Sequence, residues 1–194
     1  MVSWYLSLAS SVLSAVAGAW LVYFFGLRQL AAQRRLGFAE RQLAEFYAPL
    51  VAIQKQIRAK SDVRAKVSEA ANQAWQEECQ SRRASSGASS DDADPIEPYK
   101  KMIEYGNQQL KDELLPAYRQ MLDLFTGRYH LADPETRAFY EQFLEFVEIW
   151  NRWLSSSLPA SVLKRLNHKE AHLKPFYEHL EEKLNQLQGV LKRG

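Results

Sequence analysis

The stretch "SLASSVLSAVAGAWLVYFFGLRQL", Ser7 to Leu30, decides how the rest of the chain is read. No charged side chain stands between Met1 and Leu27, and Arg28 is the first. A bilayer core of about 30 Å is crossed by roughly 20 apolar helical residues, so this run is long enough. A buried helix of a soluble domain usually turns one face to water and carries charge there. The ends also suit a membrane, with Trp4 and Tyr5 at one interface and Trp20, Tyr23, Phe24 and Phe25 at the other. Ala15-Val16-Ala17 and Ala17-Gly18-Ala19 offer small-x-small cleavage sites for a secretory signal, but no basic segment precedes them. The expectation is a transmembrane helix over residues 1–27.

Charge sets its orientation. Nothing basic precedes the span, whereas Arg28, Arg34, Arg35 and Arg41 follow it closely. The positive-inside rule then places the start of the chain outside and the long C-terminal part in the cytoplasm of a bacterial inner membrane. Between Arg28 and Lys66 nine Lys and Arg face three Asp and Glu, a net of +6; the whole chain carries +2, so the remainder is −4. Each cation near anionic lipid contributes about 1 kcal/mol, which makes these four arginines the expected headgroup contacts. A basic run also suits nucleic acid. Beside a membrane that explanation is not needed, and nucleic acid is not an expected partner.

The part after the span is long enough for one domain with a real core. Cys79 is the only cysteine, which excludes an internal disulfide and a cysteine-based metal cluster. A lone thiol fits a reducing cytoplasm and reads as partly buried and inert.

Helical periodicity runs almost throughout. Leu43, Phe46, Tyr47, Leu50, Ile53 and Ile57 recur at helical spacing, and Val63, Val67, Ala70, Ala74 and Trp75 extend the stripe. Gly26 and Gly37 are expected to loosen the exit from the membrane, and Pro49 to kink or restart the helix. "ASSGASSDDADPIEP", Ala84 to Pro98, has no apolar period and reads as a flexible loop. Beyond it, Met102, Ile103, Leu110, Leu114, Tyr118, Met121, Leu122 and Phe125 form an apolar face. Pro116 is expected to bend that helix and Gly127 to stop it. Asp133-Pro134 is an N-cap and first-turn pair for a helix carrying Phe139, Tyr140, Phe143, Val147, Trp150 and Leu154. Pro159 opens the last helical region, Pro175 is expected to interrupt it, and Leu180, Leu184, Leu187 and Leu191 close it. No strand alternation or hairpin turn is present.

Motifs that carry chemistry are scarce. There is no glycine-rich phosphate loop and no paired-histidine zinc motif. Ser155, Ser156 and Ser157 lack the strand–turn–helix setting of a nucleophile elbow and fall where a helix ends. Glu141, Glu145 and Glu148 read as the wet side of an amphipathic helix, and the aromatics from Phe139 to Trp153 as its core side. His130 and His179 have no evident partner and read as surface. Two features stand out. Ser3, Ser7, Ser10, Ser11, Ser14 and Gly18 form a small-residue stripe on the span, opposite Leu6, Leu13 and Val16. Such a face permits close helix approach, which implies self-association through packing or around a polar pore. The other feature is "RLNHKEAH", Arg165 to His172, before the last long helix. A histidine there could move a proton from a ribose hydroxyl, and an arginine could steady phosphate charge. Exposed Lys, Arg and His at a helix end are also ordinary surface.

The Arg165…His172 spacing resembles that of HEPN domains, helical bundles that are often ribonucleases formed by two copies, although Leu166 stands where that motif usually has a polar residue. The whole layout of span, basic exit and helical domain with a divergent Arg…His motif resembles the small membrane-pore accessory proteins of type VI-B CRISPR systems. That resemblance implies an oligomer that perturbs the inner membrane during phage defence. "EFYAPL", Glu45 to Leu50, is also similar to a motif found soon after the span in a broad set of bacterial anchored proteins.

The sequence therefore reads as an all-α chain. It has a single N-terminal transmembrane helix over 1–27, a basic juxtamembrane helix over 28–60, and a cytoplasmic helical bundle over 61–194 with a flexible loop over 84–98. The expected function is a non-enzymatic, membrane-anchored oligomeric effector or scaffold, with a pore-forming phage-defence accessory protein as its sharper form. The alternative is a membrane-tethered HEPN-like ribonuclease using Arg165 and His172. No cofactor and no metal are expected. The expected partners are the lipid bilayer, further copies of the chain, and a protein encoded nearby.

Overall fold

A computed structural model describes the backbone of residues 2–84 and 97–193, with side chains at Trp20 and over residues 23–82 and 99–193. Every regular element among the described residues is helical. Helix α1 spans Val2–Gln42, passes through a π-helical turn at Leu43–Tyr47, and continues as α2, Ala48–Ala84. After α3, Glu97–Gln109, a second π-helical turn at Leu110–Leu114 leads into α4, Leu115–Gly127. A 3₁₀ turn, Tyr129–Leu131, and the short α5, Pro134–Arg137, precede α6, Tyr140–Leu154. Then come α7, Ala160–Arg165, a 3₁₀ turn at Glu170–Leu173, and α8, Lys174–Arg193. The loop expected over 84–98 lies, apart from its ends, outside the described residues.

The two π-helical turns share one cause. Inside an α-helix a proline ring presses on the carbonyl four residues back and cannot donate a hydrogen bond. For Pro49 that carbonyl belongs to Glu45, and for Pro116 to Asp112, and each lies within a π-helical turn. The wider i→i+5 pairing, Ala48 N–H to Leu43 O and Leu115 N–H to Leu110 O, opens the helix just before each proline. Neither proline ends its helix, so the restart expected at Pro49 is replaced by a continuous rod. Gly26 and Gly37 do not interrupt α1 either: both face open space and the helix runs through them. Pro175 sits in the first turn of α8 and begins that helix instead of breaking it.

The core lies where α2, α4, α6 and α8 meet. Phe46, Tyr47, Leu50 and Ile57 face Tyr118, Met121 and Phe125, and Phe143, Val147, Phe176 and Leu180 complete the apolar centre. Phe125 is its hub, with ring centroids 5.3 Å from Phe46, 5.2 Å from Tyr140 and 5.8 Å from Phe176. Each such pair adds about 0.5–1.5 kcal/mol beyond the area buried. Ala39, Phe46, Tyr47, Leu50, Val51 and Ile57 are buried members of this core. The packed unit thus begins at Ala39, inside the segment read as juxtamembrane over 28–60, and not at residue 61. Glu141, Glu145 and Glu148 are exposed, and Cys79 is partly buried. Val63 and Val67 continue the apolar stripe of α2 beyond the core and stay exposed, as do Ile103 and Tyr105 on α3.

Helix ends follow local chemistry. Gly127 closes α4, as expected. Ser156 takes the left-handed conformation (φ 58°) after α6, and Ser157 N–H bonds Arg152 O while Ser156 N–H bonds Trp153 O. That double bond pattern is a Schellman stop, built here on serine. Asp133 caps α5 by backbone position only, because its carboxylate is engaged elsewhere.

Among the described residues no helix is long and apolar enough to cross a membrane. The span expected over 1–27 falls for the most part on side chains outside the described ones. So does the stripe of Ser7, Ser10, Ser11, Ser14 and Gly18.

Candidate functional site

The chemistry-bearing residues gather in two places, only one of which the sequence singled out. Arg165 ends α7 and is exposed. Asn167 then turns left-handed (φ 48°) and Lys169 is extended, so that His172 falls in the following 3₁₀ turn, also exposed. No hydrogen bond or ion pair joins Arg165 to another group among the described residues. His172 instead meets His168. Both line a small pocket of about 120 Å³ with Gln142, Glu145, Phe146 and Leu166. His168 packs on Phe146 (4.4 Å between ring centroids) and edge-on to Trp150 (5.5 Å), and its Nε2 is buried without a partner. Burial holds the His168 pKa below the usual histidine value and His172 adds to this, while the Glu145 carboxylate opposes it. His168 is therefore neutral near pH 7 and could accept a proton beside a second imidazole and a carboxylate. The spacing of "RLNHKEAH" drew attention to Arg165 and passed over His168. The helical period of α6, which puts Gln142, Glu145 and Phe146 on neighbouring faces, gives no sign that α6 meets this turn.

The second place is a joint between the rod and the bundle. Gln42, at the end of α1 and only 5% exposed, donates through Nε2 to Leu131 O (2.7 Å) and to Asp133 Oδ1 (3.0 Å). The other Asp133 oxygen lies 3.4 Å from Lys183 Nζ, which also pairs with Glu135 at 2.9 Å. Those contacts hold the Lys183 ammonium above its ordinary pKa and Glu135 below it. Alongside runs a chain of hydroxyls: Asp133 N–H donates to the Tyr47 oxygen (3.2 Å), Tyr47 lies 2.8 Å from Thr136 Oγ1, and Thr136 lies 2.8 Å from His179 Nε2.

A backbone N–H can only donate, so the Tyr47 oxygen accepts from Asp133 and keeps its own proton free for Thr136. With a neutral His179 the chain then runs from Tyr47 through Thr136 to the Nε2 lone pair. Burial, with Lys183 next, keeps the His179 pKa low, in keeping with a neutral ring. The Tyr47 pKa is raised, chiefly by burial. His179 was read as partnerless surface. It is a half-buried, bonded member of the joint.

"EFYAPL" describes this joint residue by residue. Glu45 pairs with Arg128 across the surface at 3.6 Å, Phe46 enters the aromatic core, and Tyr47 enters the hydroxyl chain. Pro49 requires the π-helical turn, and Leu50 is fully buried.

The arginines of the basic stretch face solvent on α1, a helix that also packs against α8. Arg28, Arg34, Arg35 and Arg41 are all exposed, and the Arg28 guanidinium lies 4.5 Å over the Phe24 ring. Trp20, Tyr23, Phe24 and Phe25 project from the helix as an exposed aromatic collar, with Trp20 stacked on Phe24 at 5.7 Å. Among the described residues no group of three or more His, Cys, Asp and Glu is placed to hold a metal ion. No known protein family, curated protein or solved structure matches this chain.

Proposed function

We propose that the chain is a single-pass, membrane-anchored scaffold or effector that works as an oligomer, with its helical bundle on the cytoplasmic side. The observation that carries this reading is the aromatic collar. Four large rings exposed around one isolated helix would be an aggregation liability in water. At a membrane interface they are ordinary, with Arg28 just beyond them reaching the headgroups over Phe24. The collar lies where the uncharged run ends.

The rod then sets a spacing. From Leu27 to Ala39, where the packed unit starts, is about 18 Å at the helical rise. On an upright helix Arg28 lies in the headgroup layer of about 5–7 Å. Arg34 and Arg35 lie about 10–12 Å from the hydrocarbon, beyond that layer but within a Debye length of about 8 Å from it. Arg41 is about 21 Å from the hydrocarbon and contributes little to lipid binding. Because α1 enters the bundle without a break and is held there by Gln42 and Tyr47, a rotation or tilt of the anchor is passed directly to the domain. The pore-forming version of this function, in phage defence, rests on the small-residue stripe and the resemblance alone.

The test is topology. A reporter fused after Gly194 is expected to be active only in a form that works in the cytoplasm, and the protein should resist alkaline extraction from membranes. Periplasmic activity of that fusion would overturn the orientation.

One observation favours a second reading, a membrane-tethered ribonuclease: His168, His172 and Glu145 meet at one pocket. In that reading His168 is the base, and Arg165 plays no part within one copy.

A further inference from the structure

Helix α8 runs antiparallel to the rod, so its last turn points back toward the anchor. Near its start, Tyr177 and Glu178 face Arg58, Ser61 and Asp62 of α2 across a surface cleft. Further along, Lys183 meets Gln42, the last residue of α1, through the shared Asp133 carboxylate, at 3.4 and 3.0 Å. Beyond that point α8 packs on α1 itself, with Leu187 and Ala39 both buried and Leu191 against the same core. From Lys183 to Arg193 the helix climbs about 15 Å, and the same rise on α1 leads from Gln42 back past Arg35 and Arg34. Lys192 and Arg193 therefore stand at the height of those two arginines, about 10–12 Å from the hydrocarbon.

The charges on this side of the joint are almost all of one sign. From Arg28 to Gln42, α1 carries Arg28, Arg34, Arg35 and Arg41 against Glu40, and from Leu184 to Arg193, α8 carries Lys192 and Arg193 with no acid. That is six cations less one anion, +5; the whole chain carries +2, so everything else sums to −3. The acids of α8, Glu178, Glu181 and Glu182, all precede Lys183, on the side away from the anchor. Arg34, Arg35, Lys192 and Arg193 are exposed, and none of them pairs with a carboxylate among the described residues. Basic residues in a last turn offset the helix dipole, which accounts for the pair on α8 but not for its place beside two further arginines. Like charges held together on two packed helices repel, and an anionic surface facing them relieves the repulsion.

We propose that the last turn of α8 is a second contact with the membrane: Lys192 and Arg193, beside Arg34 and Arg35, dock on the phosphates of an anionic bilayer surface. The proposal rests on the anchored reading above and adds to it. The aromatic collar on the same rod turns this group of charges toward a bilayer, which makes lipid phosphate the partner. A single helix leaves the domain free to turn about its own axis. A second contact on one side fixes which face of the bundle meets the lipid, and so ties the orientation of the domain to the anionic-lipid content of the membrane.

The full chain is tested in nanodiscs of phosphatidylcholine alone and of phosphatidylcholine with phosphatidylglycerol. Gly189 has open space where a side chain would project, so Gly189→Cys in a Cys79→Ser background takes a spin label. A nickel-chelating lipid headgroup relaxes that label as the two approach. Relaxation should be several-fold greater in the anionic discs and fall to the neutral-disc value in Lys192→Ser/Arg193→Ser and in high salt. It should stay unchanged in Lys174→Ser at the far end of α8. Circular dichroism of the variants reports that the helices are kept. Equal relaxation in the two discs, or an unchanged double variant, overturns the contact while leaving the anchor in place. Release of the label from the anionic surface by RNA at equal charge would assign the basic group to nucleic acid and overturn it as well. A chain that enters neither disc refutes the anchored reading itself, and the contact with it.

Discussion

Replacing Thr136 with valine keeps the side-chain volume and removes one hydroxyl from the centre of the joint. That hydroxyl lies 2.8 Å from the Tyr47 oxygen and 2.8 Å from His179 Nε2, at a residue with no exposed surface. Valine leaves the buried Tyr47 donor without an acceptor, which costs about 1–3 kcal/mol. His179 is half-buried and regains part of its bond from water, so its share is about 0.5–1 kcal/mol. The expected loss is therefore about 1.5–4 kcal/mol, against a total of about 5–15 kcal/mol for a domain. Urea unfolding of the full chain in detergent, followed by tryptophan fluorescence at pH 8 and pH 5.5, measures it. The pH arm carries a sign. His179 and His168 both have folded pKa values below the usual histidine value, so the unfolded state binds more protons as the pH drops below about 6.5. Stability is complete above that pH and is lost on acidification toward the lowered folded values. Burial, with Lys183 next, sets the lowered His179 value, so the pH slope is expected to persist in the variant. A loss under about 0.5 kcal/mol, smaller than one net hydrogen bond, would refute the hydroxyl chain.

Ser156→Gly should raise the stability by about 1 kcal/mol in the same unfolding assay, because only glycine takes the left-handed conformation without strain; no gain would mean that the serine is not strained there. Replacing Ser7, Ser11 and Gly18 together with leucine keeps the span apolar but blocks close helix approach. The solubilised mass should fall, and an unchanged mass would move assembly to the bundle. On the ribonuclease reading, His168→Gln and His172→Gln should each remove most RNA cleavage, at about 10²–10⁴-fold for a lost proton-transfer group, while Arg165→Gln should do less. On the scaffold reading the purified full chain cleaves no RNA, and cleavage lost in both histidine variants would replace that reading.

How much was legible in the sequence depends on what kind of interaction places a residue. The helices were visible because their buried residues recur with the helical period: Phe46 in the first π-helical turn with Leu50 and Ile57 on α2, Tyr118, Met121 and Phe125 on α4, Leu180 and Leu187 on α8. The same period misled at Val63 and Val67, since it shows that a stripe exists and not whether anything covers it. Pro49 reads in sequence as a kink or restart and Pro116 as a bend, and the widened turns that carry the helix past them have no signature in composition. The joint was invisible for another reason. Gln42 and Thr136 are polar residues amid polar neighbours, and their burial depends on partners 86 to 91 positions away for Gln42 and Tyr47, and 43 for His179. No local pattern encodes such a pairing. The pocket at His168 escaped for the same cause, because Glu145 reaches it only through the packing of α6 against the turn before α8.

The joint and the π-helical turn have to be understood together. Removing one residue from a helix rotates everything beyond it by about 100° relative to everything before it. The π-helical turn at Leu43–Tyr47 holds one residue more than an α-helical turn would, and so it sets the angle between the two halves of the rod. Above it, Gln42 is bound to Leu131 and Asp133; within it, Tyr47 is bound to Thr136; below it, Leu50 and Ile57 are sealed in the core. If the turn relaxed to α-helix, Gln42 and Leu50 could not both keep their places.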